Sequence, residues 1–258
     1  MPTTMTGAEE RRQLALSDAG VSIRADGEAQ RFAGYAAVFN SRTAIGNPLR
    51  WGFYEEIAAG AFTKTLQEGD ARMLIDHDSY YVVSRTTAGT LALAEDDKGL
   101  AVDSALDTRL SYVQDLAVNL DNRNVTGMSF GFYVVKDDWN TEEIEVAGAP
   151  DPVTVDVRVI REVRLIEVSA VTFPAYPETE AELKAVARAL DHRGDLAAVE
   201  ARAKYRPELL NLVHIDREPG ESTRGTEEPA EPAVSTQPTG LPLSMRMNAL
   251  SARYGLPR

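Results

Sequence analysis

The chain has 258 residues, of which 43% are hydrophobic and 26% charged, and it carries a formal net charge of −13. It contains no cysteine, which excludes disulfides, thiolate zinc sites and the cysteine hydrolases. The negative charge disfavours a nucleic-acid partner, because a phosphate backbone would be repelled. No stretch has the length and apolarity of a membrane span. Met1–Glu10 lacks the apolar core of a secretory signal. The sequence therefore predicts an intracellular protein with no membrane partner.

The first part of the chain has the pattern of short strands. Val21–Arg24 alternates in polarity, and Asp26-Gly27 is typical of a hairpin turn. The following segments predict a short helix at 61–66 and further strands at 32–39, 51–57, 72–75, 81–86, 90–94 and 100–105.

One amphipathic helix interrupts these strands. Leu110, Val113, Ala117 and Leu120 recur at helical spacing, with Asp107 or Thr108 as the expected N-cap. Strand patterns resume at 126–135, 153–160 and 163–172. Because strands follow strands, the sequence favours a mainly β fold of the α+β class, an antiparallel barrel or sandwich with a few helices.

After Pro177 the composition changes, and helices are predicted at 178–190 and 196–204. Residues 216–240 are rich in proline, glutamate, serine and threonine and offer little to bury, which indicates disorder. The apolar tip at 243–250 is interpreted equally well as a docking peptide or as a frayed end. The predicted organisation is an N-terminal extension (1–20), a β-rich domain (21–177), a helical extension (178–215) and a disordered tail with this tip (216–258).

The first candidate functional residue is Ser129, in Gly127-Met128-Ser129-Phe130-Gly131. The segment matches G-x-S-x-G, the nucleophile elbow of α/β-hydrolases, which requires a helix after the serine. Here Phe130–Val135 is aromatic and β-branched and predicts a strand instead. The hydrolase alternative would also need a downstream acid and histidine, for instance Asp156 and His214. Taken alone, the motif favours a small residue where strands pack closely.

The candidate general base is His77, one of three histidines beside His192 and His214. It lies in Asp76-His77-Asp78, where an apolar strand meets a loop, a common place for catalytic groups. The alternative is a surface histidine in a polar turn. No metal site is expected, because adjacent strand residues point to opposite faces and no other histidine or cysteine is near in sequence.

Two glutamates are candidates for the acid that would orient His77. Glu167 lies in an otherwise apolar strand, where a buried carboxylate would need a partner. Glu162 is the second candidate. For either residue the alternative is a position on the solvent face of an alternating strand.

Six segments occur in the order found in the prohead protease family of tailed phages, which is distantly similar to the herpesvirus assemblins. They are Gly34–Asn40, Ile57–Phe62, His77-Asp78, Asp97–Leu100, Gly127–Phe132 and Glu167–Ala175. Each segment alone is a weak signal, but together they resemble this family over residues 34–177.

The resemblance implies an assemblin-like antiparallel β-barrel flanked by helices, and a serine endopeptidase without a cofactor. Ser129 would be the nucleophile, His77 the base and Glu167 the third member, with Glu162 as the fallback. Nearby backbone amides, Arg161 or Arg164 are candidate oxyanion donors.

The resemblance also implies the partners of the chain. The substrates would be the scaffold protein or the scaffold-like part of the major capsid protein, and the chain itself. The composition of the tail, and not the resemblance, makes the segment from residue 216 the expected site of self-cleavage, because a stretch that cannot fold stays accessible. Cleavage would take place inside the assembling prohead in the host cytoplasm, and self-association stays open. The competing hypothesis is an inactive capsid or scaffold component that has the barrel, which the presence of both Ser129 and His77 disfavours.

Overall fold

The computed structural model describes residues 8–26, 29–173 and 180–215. Strands dominate the first three quarters of the chain and helices follow them. The strands are β1 (Glu10–Ala15), β2 (Ser22–Asp26), β3 (Ala29–Val38), β4 (Thr43–Ile45), β5 (Phe53–Ile57), β6 (Arg72–Ile75), β7 (Asp78–Arg85), β8 (Leu91–Glu95), β9 (Gly99–Leu106), β10 (Gly127–Ile144) and β11 (Val153–Val171). The helices are α1 (Leu16–Ala19), α2 (Thr63–Glu68), α3 (Ser111–Asp121), α4 (Glu180–Arg193), α5 (Leu196–Ala203) and α6 (Leu209–Leu212).

The larger sheet is built on the long antiparallel pair β10 and β11. Strand β1 pairs with the outer edge of β10. On the other side, β5 and β6 both pair in parallel with β11, β5 with its first half and β6 with its second. Strands β4 and β7 extend the sheet beyond β5 and β6. This arrangement places the ends of β1, β6, β10 and β11 beside one another.

A second, four-stranded antiparallel sheet has the order β2-β3-β9-β8. The two sheets and α3 share one hydrophobic core, whose largest members include Phe32, Phe62, Met73, Phe130 and Phe132. The α+β, strand-rich class that the sequence predicts is confirmed. No closed barrel is found among the described residues, so the assemblin-like barrel stays a prediction.

The helices after the strands form a second hydrophobic cluster. Leu183, Val186 and Leu190 of α4 pack with Trp51 and Phe53, the latter in β5. The predicted helical extension therefore covers one end of the larger sheet. In the described part of the chain, no helix has the length and apolarity needed to cross a lipid bilayer.

Several element boundaries differ from the sequence prediction. Helix α3 begins at Ser111, and its N-cap is Leu110 without a side-chain bond. The capping role expected of Asp107 is wrong, because its carboxylate accepts instead from the backbone and side chain of Arg109. Residues 10–19, assigned to an N-terminal extension, form β1 and α1. The predicted disordered tail, 216–258, lies outside the described residues.

Candidate active site

His77 lies in a tight turn that joins β6 to β7. Ile75 pairs with Asp78 across this hairpin, so Asp76 and His77 are its two loop residues. Both have left-handed backbone angles, with φ of 49° and 61°. Such a turn favours glycine, asparagine and aspartate, and for most other residues the left-handed conformation costs about 1–2 kcal/mol. The strain must be offset by contacts that hold the turn in place.

Those contacts come from the end of β11. The Asp76 carboxylate accepts from the backbone N–H of Thr172 at 2.8 Å and from its hydroxyl at 3.1 Å. The Asp76 N–H donates to the carbonyl of Ala170, and the His77 N–H donates to Ser169 Oγ at 3.2 Å. The turn is thereby fixed on β11, which sets the position of the His77 ring.

The His77 ring forms a hydrogen bond with Glu167. Nδ1 lies 2.6 Å from Glu167 Oε1, and the two side chains are only 10% and 6% exposed. Ser169 Oγ donates to the other carboxylate oxygen at 2.5 Å. A carboxylate accepts the hydrogen bond of an imidazole N–H, so Nδ1 is the donor of this pair, and in the neutral ring Nε2 then carries the lone pair. Nε2 is buried and has no hydrogen-bond partner among the described residues.

The pairing of β10 with β11 places Ser129 on the same face as Glu167. Ser129 lies opposite Ser169, and Gly131 lies opposite Glu167. Opposite residues, and residues two apart on one strand, share a face of a sheet. Gly131 is needed here, because a β-carbon at this position would meet Glu167 Oε1 at 2.6 Å. The carboxylate that holds His77 therefore lies over β10 two residues from Ser129.

Ser129 itself forms a different hydrogen bond. Its side chain is fully buried, and Oγ donates to the backbone carbonyl of Arg12 in β1 at 2.9 Å. The structure thus brings together His77 and Glu167, with Ser129 on their face but bonded to β1. Strand β10 continues for fifteen residues after Ser129, from Phe130 to Ile144.

That continuation excludes the α/β-hydrolase alternative, since no helix follows the serine. The downstream residues of that alternative are engaged elsewhere. Asp156 pairs with Arg193 and Arg202, and His214 donates its backbone N–H to Asp191.

Other candidate residues from the sequence lie outside the cluster around His77. Glu162, the fallback acid, pairs with Lys64 at 3.2 Å and is half-buried. Arg161 bonds to Asp138, and the guanidinium of Arg164 stacks over Tyr133. Neither arginine is directed to Ser129, so backbone amides stay as the candidate oxyanion donors.

In the described part of the chain, no group of three or more histidine, aspartate or glutamate residues is arranged to hold a metal ion.

The opposite face of β1 and β10 carries a buried network of charges. Arg12 bonds to Glu10 and to Glu55 at 2.6 and 2.5 Å, and Arg158 bonds to the same two carboxylates and to Asp137. Burial raises the pKa of Glu10, but Arg158 and Arg12 outweigh it, and the net pKa lies below its ordinary value. The pKa of Asp137 is about 2, since Arg158 and His192 outweigh its burial.

Sequence reasoning missed three parts of this arrangement. Ser169 is two residues from Glu167, and that spacing alone places both on one face of a strand. The left-handed turn at Asp76 and His77 has no glycine to signal it. The approach of Arg12 to Ser129 depends on pairing between strands more than a hundred residues apart, and no local pattern indicates it.

Comparisons with known proteins show which proteins the chain is similar to. A family model described as caudovirus prohead serine protease matches residues 19–194. The prohead protease of Enterobacteria phage HK97 is 30% identical over 167 residues, which cover 64% of this chain and 64% of that protein. The chain therefore matches less than two thirds of the length of this curated relative. No solved structure matches the chain.

Proposed function

The chain belongs to the family of caudovirus prohead serine proteases, and we propose that it is a serine endopeptidase of phage prohead maturation. Its substrates are the scaffold protein or the scaffold-like part of the major capsid protein, and the chain itself. It acts inside the assembling prohead in the host cell. The related phage HK97 protein carries the name prohead protease, which supports this role.

One observation carries the proposal. A buried histidine is hydrogen-bonded through Nδ1 to a carboxylate, its Nε2 has no partner among the described residues, and a serine lies on the same face of the sheet. This is the set of groups that acyl transfer by a serine hydroxyl requires. The carboxylate is Glu167, so we assign the triad as Ser129, His77 and Glu167.

The proposed mechanism uses these three groups for acyl transfer. Ser129 Oγ adds to the carbonyl carbon of the scissile bond while its proton passes to His77 Nε2. Glu167 accepts the hydrogen bond of His77 Nδ1–H, which orients the ring, and its charge stabilises the imidazolium that forms. His77 then gives the proton to the leaving amine, and water hydrolyses the acyl ester by the same steps in reverse order. An oxyanion hole made of backbone N–H groups would contribute about 3–4 kcal/mol per donor.

The proposed architecture is the assemblin-like barrel. The two sheets share one hydrophobic core, which is the packing that such a barrel needs. We also keep self-cleavage in the tail from residue 216 as part of the proposal.

The proposed function is tested by cleavage of purified capsid and scaffold proteins, with fragments identified by mass spectrometry. We expect wild type to cut them and Ser129→Ala to leave them whole, because only the nucleophile is lost. Ser79→Ala is the matched control, since Ser79 is exposed and lies two residues from His77. Cleavage by Ser129→Ala would disprove the nucleophile assignment. A folded wild-type chain that cuts neither protein would favour the inactive capsid component.

A further inference from the structure

Strand β1 covers the edge of β10 that carries Ser129. It runs antiparallel to β10 along the edge of the sheet, with Gln13 opposite Ser129. The carbonyl of Arg12 accepts the hydrogen bond of Ser129 Oγ at 2.9 Å. A backbone carbonyl in an extended segment is therefore within contact distance of the proposed nucleophile.

An extended peptide commonly binds a protein by adding a strand to an open sheet edge. The edge of β10 that carries Ser129 is closed by β1, and Ser129 is fully buried. The Ser129 hydroxyl also donates to Arg12 instead of to His77. With β1 in place, neither the edge nor the serine is accessible to a second peptide.

We infer that β1 is an internal occupant of the substrate-binding edge, and that substrates pair with β10 in its place once β1 has moved away. This inference rests on the proposed function, since it takes Ser129 as the nucleophile. It assigns the outer edge of β10 as the substrate-binding surface.

The side chains of β1 indicate which substrates this edge recognises. Arg12 lies against the ring of Phe132 and bonds to Glu55, while Glu10 bonds to Arg158. Phe132, Glu55 and Arg158 belong to the rest of the sheet and stay when β1 leaves. They would accept a substrate with a basic residue where Arg12 lies and an acidic residue two positions before it.

The way in which β1 is attached supports its exchange for another peptide. Its first four residues, Glu10–Gln13, are all charged or polar, so β1 is held more by ion pairs and backbone bonds than by apolar burial. When β1 leaves, Arg158 remains paired with Glu55 and Asp137 at 3.1 and 2.6 Å. No buried charge of the sheet is then left unpaired, which is the costly outcome in such networks.

A disulfide between β1 and β10 tests this inference, because the chain contains no cysteine of its own. Ala15 and Gly127 are direct partners, and opposite residues of an antiparallel pair are within the span that a disulfide bridges. We expect full-length Ala15→Cys with Gly127→Cys to cut capsid protein when reduced. When oxidised, it should lose at least about tenfold in rate, and reductant should restore the rate. Wild type and Gly127→Cys alone, which lack the pair, should not respond to oxidation.

Equal cleavage by the oxidised and reduced forms would overturn the inference and leave the proposed function standing. Absence of cleavage by wild type would instead count against the proposed function. If the reduced pair fails to fold, because a β-carbon at Gly127 would lie 3.1 Å from the Leu14 carbonyl, Leu14→Cys with Met128→Cys gives a second disulfide in the same register.

A competition assay tests the side-chain preference. A synthetic peptide of residues 8–17 should slow the cleavage of capsid protein by the wild-type chain. The same peptide with alanine at positions 10 and 12 should slow cleavage to the same extent only at a concentration about tenfold higher. Equal potency of the two peptides would show that the Glu55 and Arg158 positions do not select substrates.

Discussion

The two faces of the β10 strand near Ser129 both carry buried polar groups, but they differ in how these groups are satisfied. On the face of Ser129, His77 is bonded to Glu167 through one nitrogen while the other has no partner among the described residues. On the opposite face, Arg12 and Arg158 each bond to two or more carboxylates. A network in which every buried charge is paired stabilises the fold. A buried imidazole nitrogen without a partner, on a ring that is bonded to a carboxylate, is instead available to take up a proton during a reaction.

The backbone shows the same difference. The face of Ser129 depends on a turn in which Asp76 and His77 both have left-handed backbone angles, while no residue of the charged network has such an angle. Strain that is held by specific contacts is common at functional sites. The two faces therefore differ in what a substitution should change: the chemical step on the face of Ser129, and stability and substrate selection on the charged face.

The largest effect is expected for the base. His77→Ala should lower kcat/KM by about a thousandfold or more, because triad members act as a unit. His192→Ala and His214→Ala are the controls, since these residues lie outside the cluster, and both should keep most of the activity. Steady-state cleavage of a capsid-derived peptide gives the comparison. Comparable losses in either control would show that His77 is not the base.

Substitution of Glu167 should lower activity less than His77→Ala does, and substitution of Glu162 should lower it hardly at all. Glu167→Gln removes the charge that we propose stabilises the His77 imidazolium, and we expect a loss of about a hundredfold in kcat. Glu162→Gln removes only a half-buried partner of Lys64 and should be nearly silent. Equal, near-wild-type rates for the two variants would place the third triad member elsewhere.

Substitution of Ser169 should lower kcat less than Glu167→Gln does, because Ser169 acts through its hydrogen bond to Glu167. Ser169→Ala removes the donor to Glu167 Oε2 and the acceptor of the His77 N–H. We expect kcat to fall about tenfold with KM unchanged, the pattern of an interaction that matters in the transition state. A rise in KM at constant kcat would instead assign Ser169 to substrate binding.

The smallest effect concerns the charged face and its dependence on pH. The pKa of Glu10 lies below its ordinary value of 4.5, and that of Asp137 is about 2 against 3.8. A depressed pKa adds stability above the ordinary value, and that stability is lost as the pH falls through the depressed one. We expect the Tm to decline between about pH 4.5 and pH 2, and less steeply in Glu10→Gln. Parallel curves for the two proteins would show that Glu10 does not contribute.

The sequence predicts those features of the structure that leave a local pattern in the chain. The strand patterns and the helices at α4 and α5 follow from periodicity, and the order of the six segments indicates the family. The candidate residues His77, Glu167 and Ser129 also come from that order. What the sequence does not indicate depends on pairing at long range: the position of β1, and the burial of Arg158 among carboxylates. The contact of Ser169 with Glu167 is different, since their spacing on one strand is a local signal that sequence reasoning did not use.

The predicted boundaries of helices and strands are wrong where a local sequence signal competes with a tertiary contact. Asp107 has the properties of an N-cap, but its carboxylate is engaged by Arg109 and α3 starts four residues later. Residues 10–15 read as a polar extension because charged side chains at the edge of a sheet resemble solvent-exposed chain. Only the carboxylate of Glu55 and the guanidinium of Arg158, far away in sequence, explain why Glu10 and Arg12 are buried.

The central claim is that the His77–Glu167 pair activates Ser129, and covalent labelling with a fluorophosphonate probe tests it most directly. In wild type, peptide mapping by mass spectrometry should find the adduct on Ser129. His77→Ala should label at least about a hundredfold more slowly, because a serine without its base reacts poorly. An adduct on another serine, or labelling of Ser129 at an unchanged rate in His77→Ala, would contradict the claim.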